Sequence, residues 1–203
     1  MPHPPLLLAS SSAYRRGRLQ SLGICFESAS PEVDETRHAD EAPEDLVCRL
    51  ARIKAQALRE RYPNHLIIGS DQVGVTEAGA VLTKPGTEEC AFEQLRSCRG
   101  ASVRFLIGLC LIDGRSGEEH ITLERFDVQF RNLPDAAIRR YVAAEKPLDC
   151  AGSFKMEGLG IALFERLSGR DPNALIGLPL IALEDGLQAL GLSLLDYHKG
   201  ETA

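Results

Sequence analysis

The segment from Leu66 to Val75 reads LIIGSDQVGV and predicts a buried β-strand that carries one carboxylate. Apolar residues lie on both sides of Asp71, and a carboxylate in such a strand is costly to desolvate unless a neighbouring group needs its charge. Gly69 allows a ligand or another backbone to approach the strand closely. Asp71 is therefore the first candidate for a catalytic residue, and the cap of a turn is the alternative interpretation.

The segments on either side predict a mixed α/β fold, with helices packed on a twisted sheet. Residues 6–8 read as a second buried strand, which a serine-rich turn joins to a helix that ends at Gly23. Another helix begins at Pro43 and is expected to run to about Tyr62, because Pro63 ends it. Further strands are predicted at 81–82, 103–112 and 121–130, and further helices at 87–99, 134–144 and 173–191.

Composition places the chain among ordinary globular proteins. It has 203 residues, of which 44% are hydrophobic, and no linker, repeat or low-complexity segment divides it. The sequence therefore predicts a single domain over residues 1–203. Because the net charge is −6, a broad nucleic-acid surface is not expected, and an anionic partner must be a small molecule held by local basic residues. No run reaches transmembrane length, so no membrane partner is expected.

The six cysteines form no C-x-x-C pair and have no histidine at zinc-finger spacing. Most of them read as small apolar residues inside secondary-structure elements, which suits a reducing compartment. The N-terminal stretch lacks the basic region of a signal peptide. Together these features predict a cytoplasmic protein.

The turn between the first strand and the first helix carries the groups of a phosphate site. The hydroxyls of Ser10 and Ser12 lie beside free backbone N–H groups at a helix N-terminus, which favours an anion. Arg15 and Arg16 add guanidinium groups that can bind phosphate through two hydrogen bonds. The alternative is an N-cap with two solvated arginines, although arginine opposes the helix dipole at this end.

Two further charged residues are candidates with ordinary alternatives. Lys54 shares the apolar stripe of its helix with Leu50 and Leu58, so its ammonium group either reaches the helix edge or binds an anion. Glu35 lies in a proline-led loop, where a solvated acid is the alternative. Asp71 together with a second carboxylate can bind a hard divalent cation, which keeps several waters and bridges to substrate phosphates.

The order of these motifs resembles the Maf family of nucleotide pyrophosphatases over nearly the whole chain. The opening pattern of that family, A-S-x-S-P-x-R-R, is matched at residues 9–16 by ASSSAYRR, with Ala13 in place of the usual proline. The runs AGSFKMEG at 151–158 and GLPL at 177–180 match as well. Since proline would only preset the turn, a looser loop is expected at Ala13.

The resemblance implies hydrolysis of a nucleoside triphosphate between its α- and β-phosphates, with a divalent cation, Mg²⁺ or Mn²⁺, as cofactor. It implies an elongated α/β architecture similar to that of inosine triphosphatases, with two lobes around a central cleft, and it allows a homodimer. Asp71 matches the proton acceptor of the family, and Glu35 matches an acidic position near the metal. The positions that face phosphate are matched by Ser10, Arg15, Lys54 and Lys84.

Three positions bear on the base that is recognised. A branch of the family that cleaves dTTP and UTP has arginine, threonine and glutamine where this chain has Tyr14, Gln72 and Glu157. The residues present here resemble the branch that acts on 7-methyl-GTP, in which tryptophan often stands at the position of Tyr14. The resemblance therefore implies hydrolysis of 7-methyl-GTP, which removes a modified nucleotide from the pool. The alternatives are a pyrophosphatase for dTTP, UTP or another non-canonical nucleotide, and a nucleotide-binding regulator of septum formation.

Overall fold

The computed structural model describes residues 3–198. Its strands are β1 (Leu6–Ala9), β2 (Glu27–Ala29), β3 (Leu66–Thr76), β4 (Val81–Leu82), β5 (Ser102–Asp113), β6 (Glu119–Phe130) and β7 (Phe164–Gly169). The α-helices are α1 (Ala13–Ser21), α2 (Pro43–Gln56), α3 (Glu88–Ser97), α4 (Asp135–Glu145) and α5 (Leu180–Ala189). Short 3₁₀ helices cover Leu159–Leu163, Pro172–Ile176 and Leu194–Tyr197.

The described strands form a mixed sheet in the order β2-β1-β3-β5-β6-β7, with β4 paired to β3. β1 runs parallel to β2 and β3, whereas β4 is antiparallel to β3 and β7 is antiparallel to β6. The predicted α/β class is therefore confirmed. Two compact units divide the described residues. The first unit contains 3–71, 107–124 and 177–198, and the second unit contains 72–106 and 125–176.

The strands of the first unit are buried on both faces because helices cover each side. Successive side chains of a strand point to opposite faces. Leu6 and Leu8 of β1 therefore pack in one cluster with residues of α1 and α5, and Leu7 packs in another with residues of α2. β3 and β5 alternate in the same way. Burial on both faces explains why these strands read as nearly continuous apolar runs.

Two glycines let helix α2 lie directly on the sheet. A Cβ atom at Gly69 would be 2.1 Å from the carbonyl oxygen of Ala51, and one at Gly108 would be 2.1 Å from that of Val47. Gly69 and Gly108 belong to the neighbouring strands β3 and β5. The close approach predicted at Gly69 is thus confirmed, and the group that approaches is the backbone of α2.

We expect Gly69→Ala to destabilise the protein. The added methyl group would overlap the Ala51 carbonyl oxygen, so the helix or the strand must shift. Overpacking of this kind costs about 1–3 kcal/mol. Denaturant unfolding measures the loss, with Gly17→Ala as the control, because a Cβ atom at Gly17 meets nothing within 4 Å. Equal stability of the two variants would contradict the tight contact at Gly69.

Aromatic rings fill the centre of the second unit. Four phenylalanine rings pack edge to face, with centroid distances from 4.8 to 6.2 Å. They are Phe105, Phe130, Phe154 and Phe164. The helices α3 and α4 of this unit are joined by Arg139, whose guanidinium lies 3.7 Å from the ring centroid of Phe92 and 3.0 Å from the carboxylate of Glu89. Ring packing and this cation–π contact stabilise the unit.

Two helix predictions were wrong at one end. α2 ends at Gln56 rather than near Tyr62, because the N–H groups of Leu58 and Arg59 bond three residues back and tighten the chain into turns. The last helix begins at Leu180 rather than at Asn173. The backbone of Gly177 has φ +92°, which breaks a right-handed helix between the two positions.

The cysteines are free, and they differ in burial. Cys98 and Cys110 are buried, and burial raises the pKa of the Cys110 thiol to about 12, so that group stays neutral. Cys25 and Cys90 are exposed, although Cys90 lies inside helix α3. No helix within residues 3–198 is long and apolar enough to cross a membrane.

Candidate active site

Asp71 lies inside β3, and its side chain faces helix α2. The residue is 7% exposed, and its Oδ1 accepts a hydrogen bond of 2.7 Å from Lys54 Nζ. Lys54 is itself 5% exposed. The interpretation of Asp71 as the cap of a turn was therefore wrong, because the residue lies within β3. The interpretation that Lys54 extends to the helix edge was also wrong, because its side chain is buried. Their contact holds a buried carboxylate in place beside a buried ammonium group.

Lys54 also pairs with a second acid. Its Nζ is 2.9 Å from Glu35 Oε1, and the Glu35 side chain is 56% exposed. The ammonium group therefore lies between one buried carboxylate and one that reaches solvent. Glu35 is neither fully solvated nor isolated, and the structure brings it to Asp71 through a shared partner.

The loop that carries Glu35 is fixed to α2 by Arg49. Arg49 donates through Nε and Nη2 to the Glu41 carboxylate at 2.6 and 2.8 Å. The same Nη2 also donates to the Thr36 carbonyl at 3.1 Å. The hydrogen bonds from Arg49 lower the pKa of Glu41 to about 2, so the pair stays ionised at neutral pH. Because Thr36 follows Glu35 directly, Arg49 restricts where the Glu35 carboxylate can lie.

The serine-rich turn lies at the N-terminus of α1 as predicted. Ser12 caps the helix, with Oγ accepting a 3.4 Å hydrogen bond from the backbone N–H of Arg15. Ser10 Oγ accepts from the backbone N–H of Ser12 at 3.1 Å and from Arg15 Nη1 at 3.5 Å. The hydroxyl of Ser10 and the guanidinium of Arg15 are therefore neighbours.

Arg15 is held from the other side by the carbonyl of Gly177. This oxygen accepts 2.8 Å hydrogen bonds from both Arg15 Nε and Ser70 Oγ. Desolvation lowers the pKa of the Arg15 guanidinium, and the charges of Asp71 and Glu35 act in the opposite direction. Arg15 therefore shares one electrostatic environment with both carboxylates, and it remains a cation.

Arg16 has a different environment. Its Nη2 donates to the Ser11 carbonyl at 3.4 Å, whereas its Nε is buried and has no hydrogen-bond partner among residues 3–198. A buried donor without a partner costs free energy. An anion is a ligand that can accept from such a donor, so this position is compatible with the predicted phosphate site.

Four predicted residues remain, which are Tyr14, Gln72, Lys84 and Glu157. Tyr14 lies on α1 and is half-buried. The other three belong to the second unit. Gln72 donates through Nε2 to the Leu175 carbonyl at 3.2 Å, and Lys84 and Glu157 are exposed. The structure thus brings together Ser10, Arg15, Glu35, Lys54 and Asp71.

Four residues that organise this region were not predicted from the sequence. Ser70 and Gly177 join the strand of Asp71 to Arg15, and Arg49 and Glu41 fix the Glu35 loop. Gly177 opens the GLPL run and Ser70 precedes Asp71, so both had a local signal. Nothing in the sequence distinguishes Arg49 from other helical arginines.

Two carboxylates converge where the sequence predicts a divalent cation. Asp71 and Glu35 both contact Lys54 Nζ, so their oxygens face a common point. Within residues 3–198, no group of three or more His, Cys, Asp or Glu side chains could hold a metal ion. Mg²⁺ is commonly bound by one or two carboxylates, with waters and substrate phosphates completing the coordination. The two acids therefore supply the type of ligand that Mg²⁺ uses, and one oxygen of each is bound to the Lys54 ammonium group.

The chain is similar to known proteins over most of its length. A family model described as Maf-like protein matches residues 5–190. A 7-methyl-GTP pyrophosphatase of Alcanivorax borkumensis is 54% identical over 191 residues, which cover 94% of this chain and 96% of the relative. The Ham1 protein of Staphylococcus aureus has a similar fold, with a TM-score of 0.52 at 14% identity, over 92% of this chain and 99% of that protein.

Proposed function

Since this chain belongs to the Maf family, we propose that it is a nucleoside triphosphate pyrophosphatase that converts 7-methyl-GTP to 7-methyl-GMP and pyrophosphate. The observation that carries the proposal is the buried Asp71 carboxylate, fixed by Lys54 and sharing its environment with Arg15. The reaction removes a modified nucleotide from the cellular pool. A nucleotide substrate and free cysteines support a cytoplasmic location.

Asp71 is the general base in this proposal. Its carboxylate orients a water and accepts the proton as the water adds to the α-phosphorus. The bond from that phosphorus to the bridging oxygen breaks, and pyrophosphate leaves. The hydrogen bond from Lys54 keeps the carboxylate in one orientation, so the side chain loses no further conformational entropy during the reaction.

Asp71 and Glu35 would hold the divalent cation, Mg²⁺ or Mn²⁺, which when bound acidifies a water and neutralises phosphate charge. Ser10 can donate its hydroxyl hydrogen to a phosphate oxygen, and Arg15 can donate N–H groups other than those bonded to Gly177 and Ser10. Three further residues, Ser12, Arg16 and Lys84, keep the phosphate-binding roles predicted from the sequence. The unpartnered Nε of Arg16 supports its role.

Base selection is assigned to Tyr14, Gln72 and Glu157. Methylation at N7 gives guanine a delocalised positive charge, which the ring of Tyr14 can attract by a cation–π interaction. An ionised Glu157 can accept hydrogen bonds from N1–H and the exocyclic amine of the base. Gln72 contributes through its fixed position, since its amide is already bound to the Leu175 carbonyl.

We expect Glu157→Gln and Tyr14→Ala to reduce kcat/KM for 7-methyl-GTP much more than for UTP. Loss of the cation–π contact alone corresponds to a factor of roughly 2 to 30. A panel of canonical and modified nucleoside triphosphates, with Mg²⁺ or Mn²⁺ and with both products resolved, measures this difference. Glu165→Gln is the matched control, because Glu165 is an exposed acid of the second unit.

Equal losses on both nucleotides would show that Tyr14 and Glu157 do not select the base. A wild-type preference for dTTP or UTP would contradict the proposed substrate, although the pyrophosphatase reaction would stand. Absence of hydrolysis with every nucleotide would contradict the enzyme itself.

A further inference from the structure

Gln94, on helix α3, forms hydrogen bonds to two chain segments that carry predicted site residues. Its Nε2 donates to the Thr83 carbonyl at 3.2 Å, and its Oε1 accepts from Ser153 Oγ at 2.5 Å. Thr83 directly precedes Lys84, and Ser153 lies four residues before Glu157. A single amide group therefore joins the two segments.

Ser153 is the more constrained of the two partners. It is fully buried, and its φ of +59° lies in the left-handed region, which residues other than glycine rarely adopt. A buried hydroxyl without a partner would cost free energy, and Gln94 Oε1 supplies that partner. The conformation at the start of segment 151–158 thus depends on Gln94.

The far end of segment 151–158 is fixed to helix α4. The backbone N–H of Lys155 donates to Tyr141 Oη at 2.9 Å, and the backbone N–H of Leu159 donates to Glu145 Oε1 at 2.7 Å. Glu157 therefore lies on a short stretch that is held by hydrogen bonds on both sides. Of these partners, Gln94 is the residue that also donates to the carbonyl of Thr83, next to Lys84.

We propose that Gln94 is a positioning residue that sets the placement of Lys84 through Thr83 and that of Glu157 through Ser153. Through Thr83, the Nε2 group supports binding of the substrate's phosphates. Through Ser153, the Oε1 atom supports recognition of a cationic purine base. This inference rests on the roles given to Lys84 and Glu157 in the proposed function.

The two hydrogen bonds of the Gln94 amide can be removed separately. Gln94→Glu keeps an acceptor for Ser153 but replaces the donor to Thr83 with an oxygen, which repels the Thr83 carbonyl. Ser153→Ala removes the other hydrogen bond and keeps the Cβ atom. We expect Gln94→Glu to lower kcat/KM equally for 7-methyl-GTP and GTP, by roughly 3- to 10-fold. We expect Ser153→Ala to lower the ratio of kcat/KM for 7-methyl-GTP to kcat/KM for GTP by a similar factor.

Double variants test whether these effects pass through the named residues. In a Lys84→Ala background, Gln94→Glu should have little further effect, and in a Glu157→Gln background, Ser153→Ala should leave the ratio unchanged. Gln129→Glu is the control, because its amide donates to the Gly100 carbonyl at 3.0 Å outside both segments. Additive losses in both backgrounds would overturn the proposal and would indicate a merely structural role.

Hydrogen exchange gives a readout that does not need activity. Gln94→Leu should speed amide exchange in segments 83–86 and 151–158 together, while Gln129→Leu should change neither. Unchanged exchange in either segment would overturn the inference even if the wild-type protein hydrolyses nucleotides. Faster exchange in both segments of a protein without hydrolysis would support the coupling and contradict only the proposed function.

Discussion

Asp71→Asn is expected to lower kcat for hydrolysis of 7-methyl-GTP at least 100-fold, the order expected for loss of a general base. Asparagine keeps the shape of the side chain, and its carbonyl oxygen can still accept the hydrogen bond from Lys54. It removes the charge that accepts a proton or binds a metal. The fold should survive, because Lys54 keeps its second partner, Glu35. Steady-state kinetics at saturating nucleotide, together with the circular dichroism spectrum and Tm, measure both expectations.

A matched control separates this effect from a general loss of charge. Asp127, on strand β6, pairs with Arg104 at 2.8 Å on a half-exposed surface, and no role in the reaction is assigned to it. Asp127→Asn should leave kcat unchanged. Near-normal turnover of a folded Asp71→Asn protein would contradict the assignment of Asp71 as the base.

Lys54→Met is expected to cause the largest loss of stability among single substitutions at the site. It leaves the buried carboxylate of Asp71 without its cation, and removing one partner of a buried ion pair costs about 3–5 kcal/mol. Activity should be lost as well, since Asp71 and Glu35 would no longer be held by a common group. The free energy of unfolding in urea measures the stability change.

The same helix offers the control. Arg52 pairs with Glu119 at 2.9 Å on an exposed part of α2, and exposed pairs contribute about 0–1 kcal/mol. Arg52→Met should therefore cost far less than Lys54→Met. The double variant Lys54→Met with Asp71→Asn should regain much of the stability, because the uncompensated charge is removed with its partner. If Lys54→Met costs no more than Arg52→Met, the buried pair does not stabilise the fold.

Local sequence patterns located the main parts of the site but not their partners. The run LIIGSDQVGV placed Asp71 in a buried strand, and helical periodicity placed Lys54 on the buried face of α2. Periodicity gives the face of an element, whereas the contact between Lys54 and Asp71 depends on how α2 lies on the sheet. The position of α2 on the sheet depends in turn on Gly69 and Gly108. The sequence alone did not show which carbonyl groups would lie against these two glycines.

The elements that were not predicted lack the patterns on which such predictions rest. β2 covers three residues, Glu27–Ala29, with two of them exposed, so no apolar alternation marks it. β7, Phe164–Gly169, is mostly exposed and polar after its first residue. Both are strands because they pair with a neighbour, β1 or β6, and this pairing is a property of the tertiary structure.

The carbonyl of Gly177 has a consequence for the synthesis of this protein on the ribosome. It joins Arg15 and Ser70, which are made 162 and 107 residues earlier, and it leads into helix α5, which covers one face of the first unit's sheet. Until that part of the chain emerges, this apolar face has no helix α5 to cover it and Arg15 lacks its acceptor. Once β5 has been made, the nascent chain therefore exposes an apolar face that favours aggregation, and the site stays incomplete until residues 177–189 emerge.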